Sequence, residues 1–419
     1  MIYNDKKHNF ELFLNKWPPN KEYILYGASK DASQLIKTID HLLPNIEFKI
    51  SLIVDDDKNS KILYDYPIGS INKNYNYDKS NFKITKLKRN KIKKKIEIIN
   101  FEEAVKKEIF KTNQIIITSD QNYQFYKKKL ENLKMIEDIH FCNYKKIAAI
   151  WPFKIASKIH LWRTDILLTE KCSLNCTFCN MYMPHYNKQK HRSFEELEND
   201  LNSYFTKIDY VSIFHLVGGE PLLSPYVSKI IDLINHKYRK KIGYLFLTTN
   251  GTVKPKGDVL EALKKTQIDI HISDYTDSIN YGRKFDSIRK NFEENKINFL
   301  VRKYENWSDF GHPSEEKFVG EKESIDHFDS CSAPFRGLNN SKYYYCHLNT
   351  SAVLAKKFKD NKNDYYDLNN KLFNGEELLK LDLGFPKKGY VTFCKNCYGC
   401  NTGLGDKVNP SSQGLRLQN

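Results

Sequence analysis

The sequence predicts an α/β protein in three parts: a doubly wound parallel sheet over 1–150, a partial (β/α)6 barrel over 155–318 and a small cysteine-rich segment over 319–419. Three observations carry this. Strand-length apolar runs alternate with segments of helical spacing through the first two parts. Eight of nine cysteines fall into two groups, 172/176/179 and 331/346/394/397/400, with Cys142 alone. The 419 residues, 40% apolar and 13% aromatic, exceed what one ordinary core holds.

In the first part, EYILYGAS (22–29) predicts a buried strand ending in a turn, ASQLIKTIDHLL (32–43) a helix and FKISLIVDDD (48–57) a second strand ending in acids. KIEIINFEEAVKKEI and NQIIITSDQNYQFYKKKLENLK each repeat strand then helix. The turn GASKDA, Gly27 to Ala32, has Ser29 where the dinucleotide fingerprint wants its second glycine. The segment resembles the small Rossmann-like domains found beside sugar-modifying transferases. Nucleotide or sugar-nucleotide binding and a structural or docking role both stay open.

The second part begins with RTDILLTEK (163–171), a strand leading into Cys172, Cys176 and Cys179. A helix over 193–205 follows, opened by a capping box of Ser193 and Glu196. The strand YVSIFHLVGGEP (210–221) comes next. Strand and helix then alternate to roughly 304, about five repeats in all. In a parallel barrel the active site lies at the C-terminal strand ends. The tail, rich in Cys, Gly, Asn and Tyr, predicts short strands around NSKYYYCHLNT and a fold held by metal and not by a large apolar core.

Net charge is +16, and the densest basic run, KITKLKRNKIKKK (83–95), has no interleaved aromatic for base stacking. It reads as a solvated loop or hairpin, so neither nucleic acid nor membrane is an expected partner. No apolar run reaches the ~18 residues of a membrane helix. The N-terminal stretch lacks the pattern of a secretory signal, so a cytoplasmic setting is expected. In such a setting, clustered thiols point to metal and not to disulfides.

Three thiols on one short loop fall one short of a closed zinc site, with no fourth cysteine nearby and His185 a remote candidate. A 4Fe-4S cluster held by three thiolates leaves one iron open to a small molecule. Phe178, between the last two cysteines, would shield such a cluster. This Cys-x3-Cys-x2-Cys loop after a first barrel strand, with an aromatic before the last cysteine, resembles the radical S-adenosylmethionine (SAM) superfamily. The resemblance implies that Cys172, Cys176 and Cys179 hold the catalytic cluster and that its open iron chelates SAM. An electron then breaks the sulfonium C–S bond, and the 5′-deoxyadenosyl radical takes a hydrogen atom from substrate. GGEP, Gly218, Gly219, Glu220 and Pro221, matches the segment that binds the SAM amino group in that family. Asn250 in TTNG and Ser273 in ISDY match positions near the SAM carboxylate or ribose.

Cys331, Cys346, Cys394 and Cys397 suffice for a second four-iron cluster, with Cys346 expected on a hairpin strand. The layout is similar to the auxiliary-cluster domain called twitch, a shortened form of the seven-cysteine SPASM domain, so one auxiliary 4Fe-4S cluster is expected. Cys400 is left over: a substitute ligand for Cys397, a hydrogen donor near the site, or an inert thiol. The resemblance implies an oxidoreductase-type radical enzyme with a flavodoxin or ferredoxin as reductant. A carbohydrate or nucleotide-sugar precursor leads as substrate, for an epimerase, dehydrogenase or dehydratase. The alternatives are a ribosomal-peptide maturase and a non-enzymatic Fe-S or zinc protein. Asp274 and Tyr275, at a strand end, are candidate substrate contacts. His215 and His271 read equally as catalytic groups or inward filler, and NWSDFG (306–311) as a pocket rim or a plain turn.

Overall fold

The computed structural model describes residues 10–28, 30–56, 97–120, 122–266 and 268–414. Ser29 and the basic run 83–95 lie outside them. Internal contacts divide the chain into two units, Met1–His160 and Leu161–Asn419. Among the described residues no helix is long and apolar enough to cross a membrane.

The first unit contains α1 (Phe10–Lys16), β1 (Tyr23–Tyr26), α2 (Lys30–Leu42), β2 (Ile50–Val54), β3 (Ile98–Ile99), α3 (Phe101–Lys106), β4 (Ile115–Ile117), α4 (Tyr123–Asn132), β5 (Phe141–Asn143) and α5 (Tyr144–Ala156). The sheet order is β3-β2-β1-β4-β5 with every pairing parallel, the order of a doubly wound sheet. Strands buried on both faces explain the near-continuous apolar runs: Ile24, Tyr26, Val54, Ile115 and Ile117 are fully buried. After β1, Gly27 turns at φ +109°, a conformation that L side chains rarely adopt. The first of the three acids, Asp55, accepts the Ala28 N–H at 2.6 Å, so it serves this turn.

The second unit contains β6 (His160–Leu167), α6 (Phe194–Lys207), β7 (Tyr210–Val217), α7 (Val227–Leu233), β8 (Ile242–Thr249), α8 (Asp258–Lys265), β9 (Asp269–Asp274), α9 (Gly282–Glu294), β10 (Phe299–Lys303), β11 (Trp307–Ser308), α10 (Glu321–Ser330), β12 (Gly337–Asn339), β13 (Lys342–Tyr344), α11 (His347–Leu354), β14 (Tyr365–Asp367), α12 (Gly375–Asp382) and β15 (Lys407–Val408). One sheet runs β10-β9-β8-β7-β6-β12-β13-β14. The strand–helix repeat supplies five strands and not the six expected. After β10 the residues NWSDFGHPSEEK, with their turn formers and proline, build no crossover helix. The sixth parallel place is taken by β12, which comes from the tail and pairs with β6.

The tail also departs from expectation in having an apolar core. Phe328, Leu348, Tyr390, Val391 and Phe393 are buried around Cys346 and Cys397. Its β12–β13 hairpin turns on Asn340 and Ser341, both with positive φ (52° and 54°), as a two-residue hairpin requires. Asp200 of α6 offsets that strain by accepting both of their backbone N–H groups and a 2.7 Å ion pair from Arg192. The predicted capping box of α6 is formed, Ser193 Oγ accepting from Glu196 N at 3.1 Å and Glu196 Oε2 from Ser193 N at 2.8 Å.

The sheet has two chemically distinct faces. Phe214 of β7 packs on Tyr204 and Phe205 of α6, so the apolar face meets the helices. The opposite face carries His215, paired in register with Phe246 of β8, and then Thr248, in register with His271 of β9.

Candidate active site

The three thiols lie on the loop that leaves β6. Cys179 N–H bonds Cys176 O at 3.2 Å, closing a turn that brings the last two thiols to one side. Burial raises all three thiols, Cys176 to about 12, and neighbouring thiols of the group push Cys172 and Cys176 further. The GGEP segment is zipped to this loop: Leu168 N–H bonds Val217 O at 2.7 Å, Gly219 N–H bonds Thr169 O at 2.9 Å, and Glu220 N–H bonds Lys171 O at 2.8 Å. A Cβ at Gly218 would meet Thr169 O at 2.8 Å, and one at Gly219 would meet Lys171 O at 2.4 Å. The two glycines are therefore demanded by the close approach of the cysteine loop itself.

Glu220 is fully buried and its carboxylate faces inward. Oε1 accepts from Leu222 N at 3.1 Å and Thr249 Oγ1 at 2.8 Å, and Oε2 from Asn250 N at 2.8 Å. It locks the end of β7 to the end of β8; burial pushes its pKa up to about 7. Pro221, also buried, opens a single 3-10 turn. Asn250 reaches the cysteine loop: its Nδ2 donates to Ser173 Oγ at 3.0 Å and lies 3.6 Å from Cys172 Sγ, while Oδ1 accepts from Thr252.

At the end of β9, Ser273 is buried, and Asp274 is spent on a local turn, accepting from Thr276 N at 2.9 Å and Thr276 Oγ1 at 2.7 Å. Tyr275 packs edge-on against Trp307 at 5.5 Å; burial holds its phenol well above the usual range, with Cys176 and Cys179 adding to the rise. Tyr281 joins these strand ends, accepting from Tyr275 N and donating to Asn250 O, both at 3.1 Å. A cavity of about 200 Å³ opens beside the thiols, lined by Phe178, Cys179, Tyr182, His185 and Asp309 to His312. NWSDFG thus forms a rim in its second half. His185 meets His312 edge-on at 4.6 Å, and burial lowers its pKa to about 4. A larger groove of about 890 Å³ lies along α6 and the β12–β13 turn and contains no thiol.

The second thiol group assembles around α10, α11 and the turn Thr392–Asn396. Cys331 ends α10, and Cys394 and Cys397 flank the end of that turn. Cys346 stands two residues beyond the hairpin, as N-cap of α11 and not on a strand. Burial raises Cys394 and Cys346, and the other thiols of this group raise them further. Cys400 meets the group through its backbone, donating N–H to Cys331 Sγ at 3.3 Å; its own thiol is raised to about 11 by burial. Between the two groups lies Tyr182, whose backbone N–H bonds Cys179 O at 2.8 Å and whose ring packs with Cys346 and Cys397. Its buried hydroxyl has no partner among the described residues.

A polar chain that the sequence showed only in fragments crosses the open face of the sheet. Asp165 of β6 accepts from Arg163 at 2.7 Å and from His347 Nδ1 at 2.7 Å. Arg163 donates to His215 Nδ1 at 3.1 Å. His215 Nδ1 also lies 3.3 Å from Asp165 Oδ1, and its Nε2 pairs with Thr248 Oγ1 at 2.8 Å. Burial lowers His215 to about 4 despite Asp165, leaving it neutral at pH 7. His271 packs tilted against Phe246, ring centroids 4.2 Å apart, and pairs through Nε2 with Tyr244 OH at 2.8 Å. His271 Nδ1 and His347 Nε2 are buried with no partner among the described residues.

Residues 166–312 match the sequence profile of the Radical SAM superfamily. Residues 166–312 are a radical SAM domain. No curated protein matches the chain in sequence. Among solved structures it is similar to native anSMEcpe with bound AdoMet (15% identity, covering 61% of this chain and 94% of that one, TM-score 0.38). It is also similar to Streptococcus suis SuiB bound to S-adenosylmethionine (17%, 48% and 50%, TM-score 0.25). A third is BtrN in complex with AdoMet and 2-DOIA (10%, 58% and 96%, TM-score 0.39).

A radical SAM domain works with a 4Fe-4S cluster and SAM, and the donor set fits them. Three half-buried or buried thiols share one loop. One ion draws every sulfur to about 2.3 Å, whereas thiolates of a cluster each take a different iron.

Proposed function

We propose that Cys172, Cys176 and Cys179 hold the SAM-binding cluster of this radical SAM enzyme. Its substrate is a hydroxyl-rich small molecule, a carbohydrate or nucleotide-sugar precursor that is epimerised, dehydrogenated or dehydrated. Cys331, Cys346, Cys394 and Cys397 would hold one auxiliary cluster, with Cys400 outside the ligand set. When bound, cluster and SAM together supply the group that removes the hydrogen atom. The chain's own residues do the rest. Phe178 and Tyr182 line the cavity beside Cys179. Glu220 and Tyr281 fix the strand ends beside the cysteine loop through Asn250.

The observation that carries the substrate reading is the pair of buried imidazole nitrogens, His271 Nδ1 and His347 Nε2, that no partner satisfies among the described residues. Buried polar atoms in folded proteins are nearly always partnered. Two unpaired ones on a face that also carries Arg163, Thr248 and Tyr244 suit a ligand with several hydroxyls. Desolvation keeps His271 uncharged at neutral pH, ready to accept from or donate to a neutral hydroxyl.

Isotope tracing tests this. Anaerobic, reconstituted protein is incubated with SAM, a reductant and a panel of carbon-deuterated sugars and nucleotide sugars. Deuterium is expected in 5′-deoxyadenosine from at least one of them. His271→Phe and His347→Phe should each raise KM for that substrate about tenfold, the worth of one hydrogen bond near 1.4 kcal/mol. Transfer from a peptide with none from any sugar would overturn the substrate reading.

A further inference from the structure

The final described residues fasten the cysteine loop. β15 pairs antiparallel with β11, and Asp309 N–H bonds Asp406 O at 2.9 Å. A few residues on, the same strand reaches the thiols. Thr177 N–H bonds Ser412 O at 2.8 Å, Gly414 N–H bonds Asn175 O at 2.9 Å, and Cys176 and Gln413 form an antiparallel bridge. Asn175 Nδ2 adds a 2.6 Å bond to Gly414 O. Residues 407–414 are thus a strap across two loops of the site.

Within the strap the Gln413 amide has one orientation. Its Oε1 accepts from Asn175 N–H at 2.8 Å, so its NH2 must point the other way. One N–H goes to Ser411 O at 2.6 Å and the other to Cys176 Sγ at 3.3 Å. We propose that Gln413 is a positioning residue for the metal-binding loop, its N–H stabilising the anionic sulfur of Cys176 and raising the reduction potential of the cluster that this sulfur would ligate. The proposal rests on the reading of the three thiols given above. Its physics is simple: reduction adds negative charge to cluster and ligands, and a donor aimed at a ligand sulfur favours the reduced state. Asn250 Nδ2, 3.6 Å from Cys172 Sγ, is placed to act in the same sense from the other side.

The test is a potentiometric titration of the full-length reconstituted chain, followed on the paramagnetic signal that added SAM perturbs. Gln413→Leu removes donor and acceptor. Gln413→Glu removes the donors but keeps the acceptor for Asn175 N–H, so the strap is retained even if the leucine variant releases it. Both variants should show a lower midpoint, with about a tenfold fall in the ratio of reduced to oxidised cluster at fixed potential, or about 59 mV for one electron. The glutamate should fall further because of its charge. Midpoints equal to wild type in both variants would overturn the proposal while leaving the cluster reading intact. A wild-type chain with no SAM-responsive signal would overturn both.

Discussion

A buried carboxylate with three donors decides how rigid the GGEP segment is. Glu220 is ringed by two backbone N–H groups and a hydroxyl, all donating. Glu220→Gln places an amide NH2 against at least one of those donors, and should destabilise the chain by about 1–3 kcal/mol. The pH dependence follows from its raised pKa. The folded chain releases this proton near 7 and the unfolded chain at the ordinary 4.5, so the proton-linked stabilisation is complete below about 4.5 and lost as pH rises through 7. The difference in Tm between wild type and Glu220→Gln should therefore narrow between pH 4.5 and 7.5 in a calorimetric series. A gap that widens over this range would contradict the account. The sequence matches Glu220 only to a segment near the SAM amino group, because a motif says which residues occur and not which way a side chain turns.

One aspartate joins the elements that carry the second thiol group. Asp364 accepts from Thr392 N at 2.6 Å, Phe393 N at 2.9 Å and Asn349 Nδ2 of α11 at 3.0 Å. It thereby sets Cys346, at the start of α11, against Cys394. Asp364→Ala leaves those donors buried and unpaired. The iron content of reconstituted protein should fall from about eight atoms per chain to about four. The SAM-perturbed signal should survive; iron unchanged in this variant would remove Asp364 from the argument. At this scale much was legible. The helix at 194–207 and strand β7 stand where apolar periodicity puts them, the strand–helix alternation runs on to β10, and the capping box is formed. Cys346 was misplaced by one short step because aromatic, β-prone YYY runs without a break into the helix that Cys346 caps.

For the whole molecule, the least legible feature is the return of residues 407–414 to the cysteine loop. Contacts such as Asn175 with Gly414 span more than two hundred positions, and no local pattern in NPSSQG announces them. The same holds for β12, a three-residue strand with an asparagine that owes its place to pairing beside β6. What was legible is the local chemistry: three thiols on one loop, two glycines and an acid after the next strand, and a strand–helix alternation to hold them. The partnerless nitrogens of His271 and His347 were not, since periodicity shows the face a residue takes but not whether its neighbours satisfy it. The N-terminal unit has the parallel order that its sequence suggested, while its strand-end Asp55 is used by its own turn.

Paramagnetic resonance and Mössbauer spectra of the anaerobically reconstituted chain, with and without SAM, test the central claim most directly. The account predicts a 4Fe-4S signal that SAM alters and that Cys176→Ala abolishes. Bound zinc in place of iron, or an iron–sulfur signal indifferent to SAM, would contradict it.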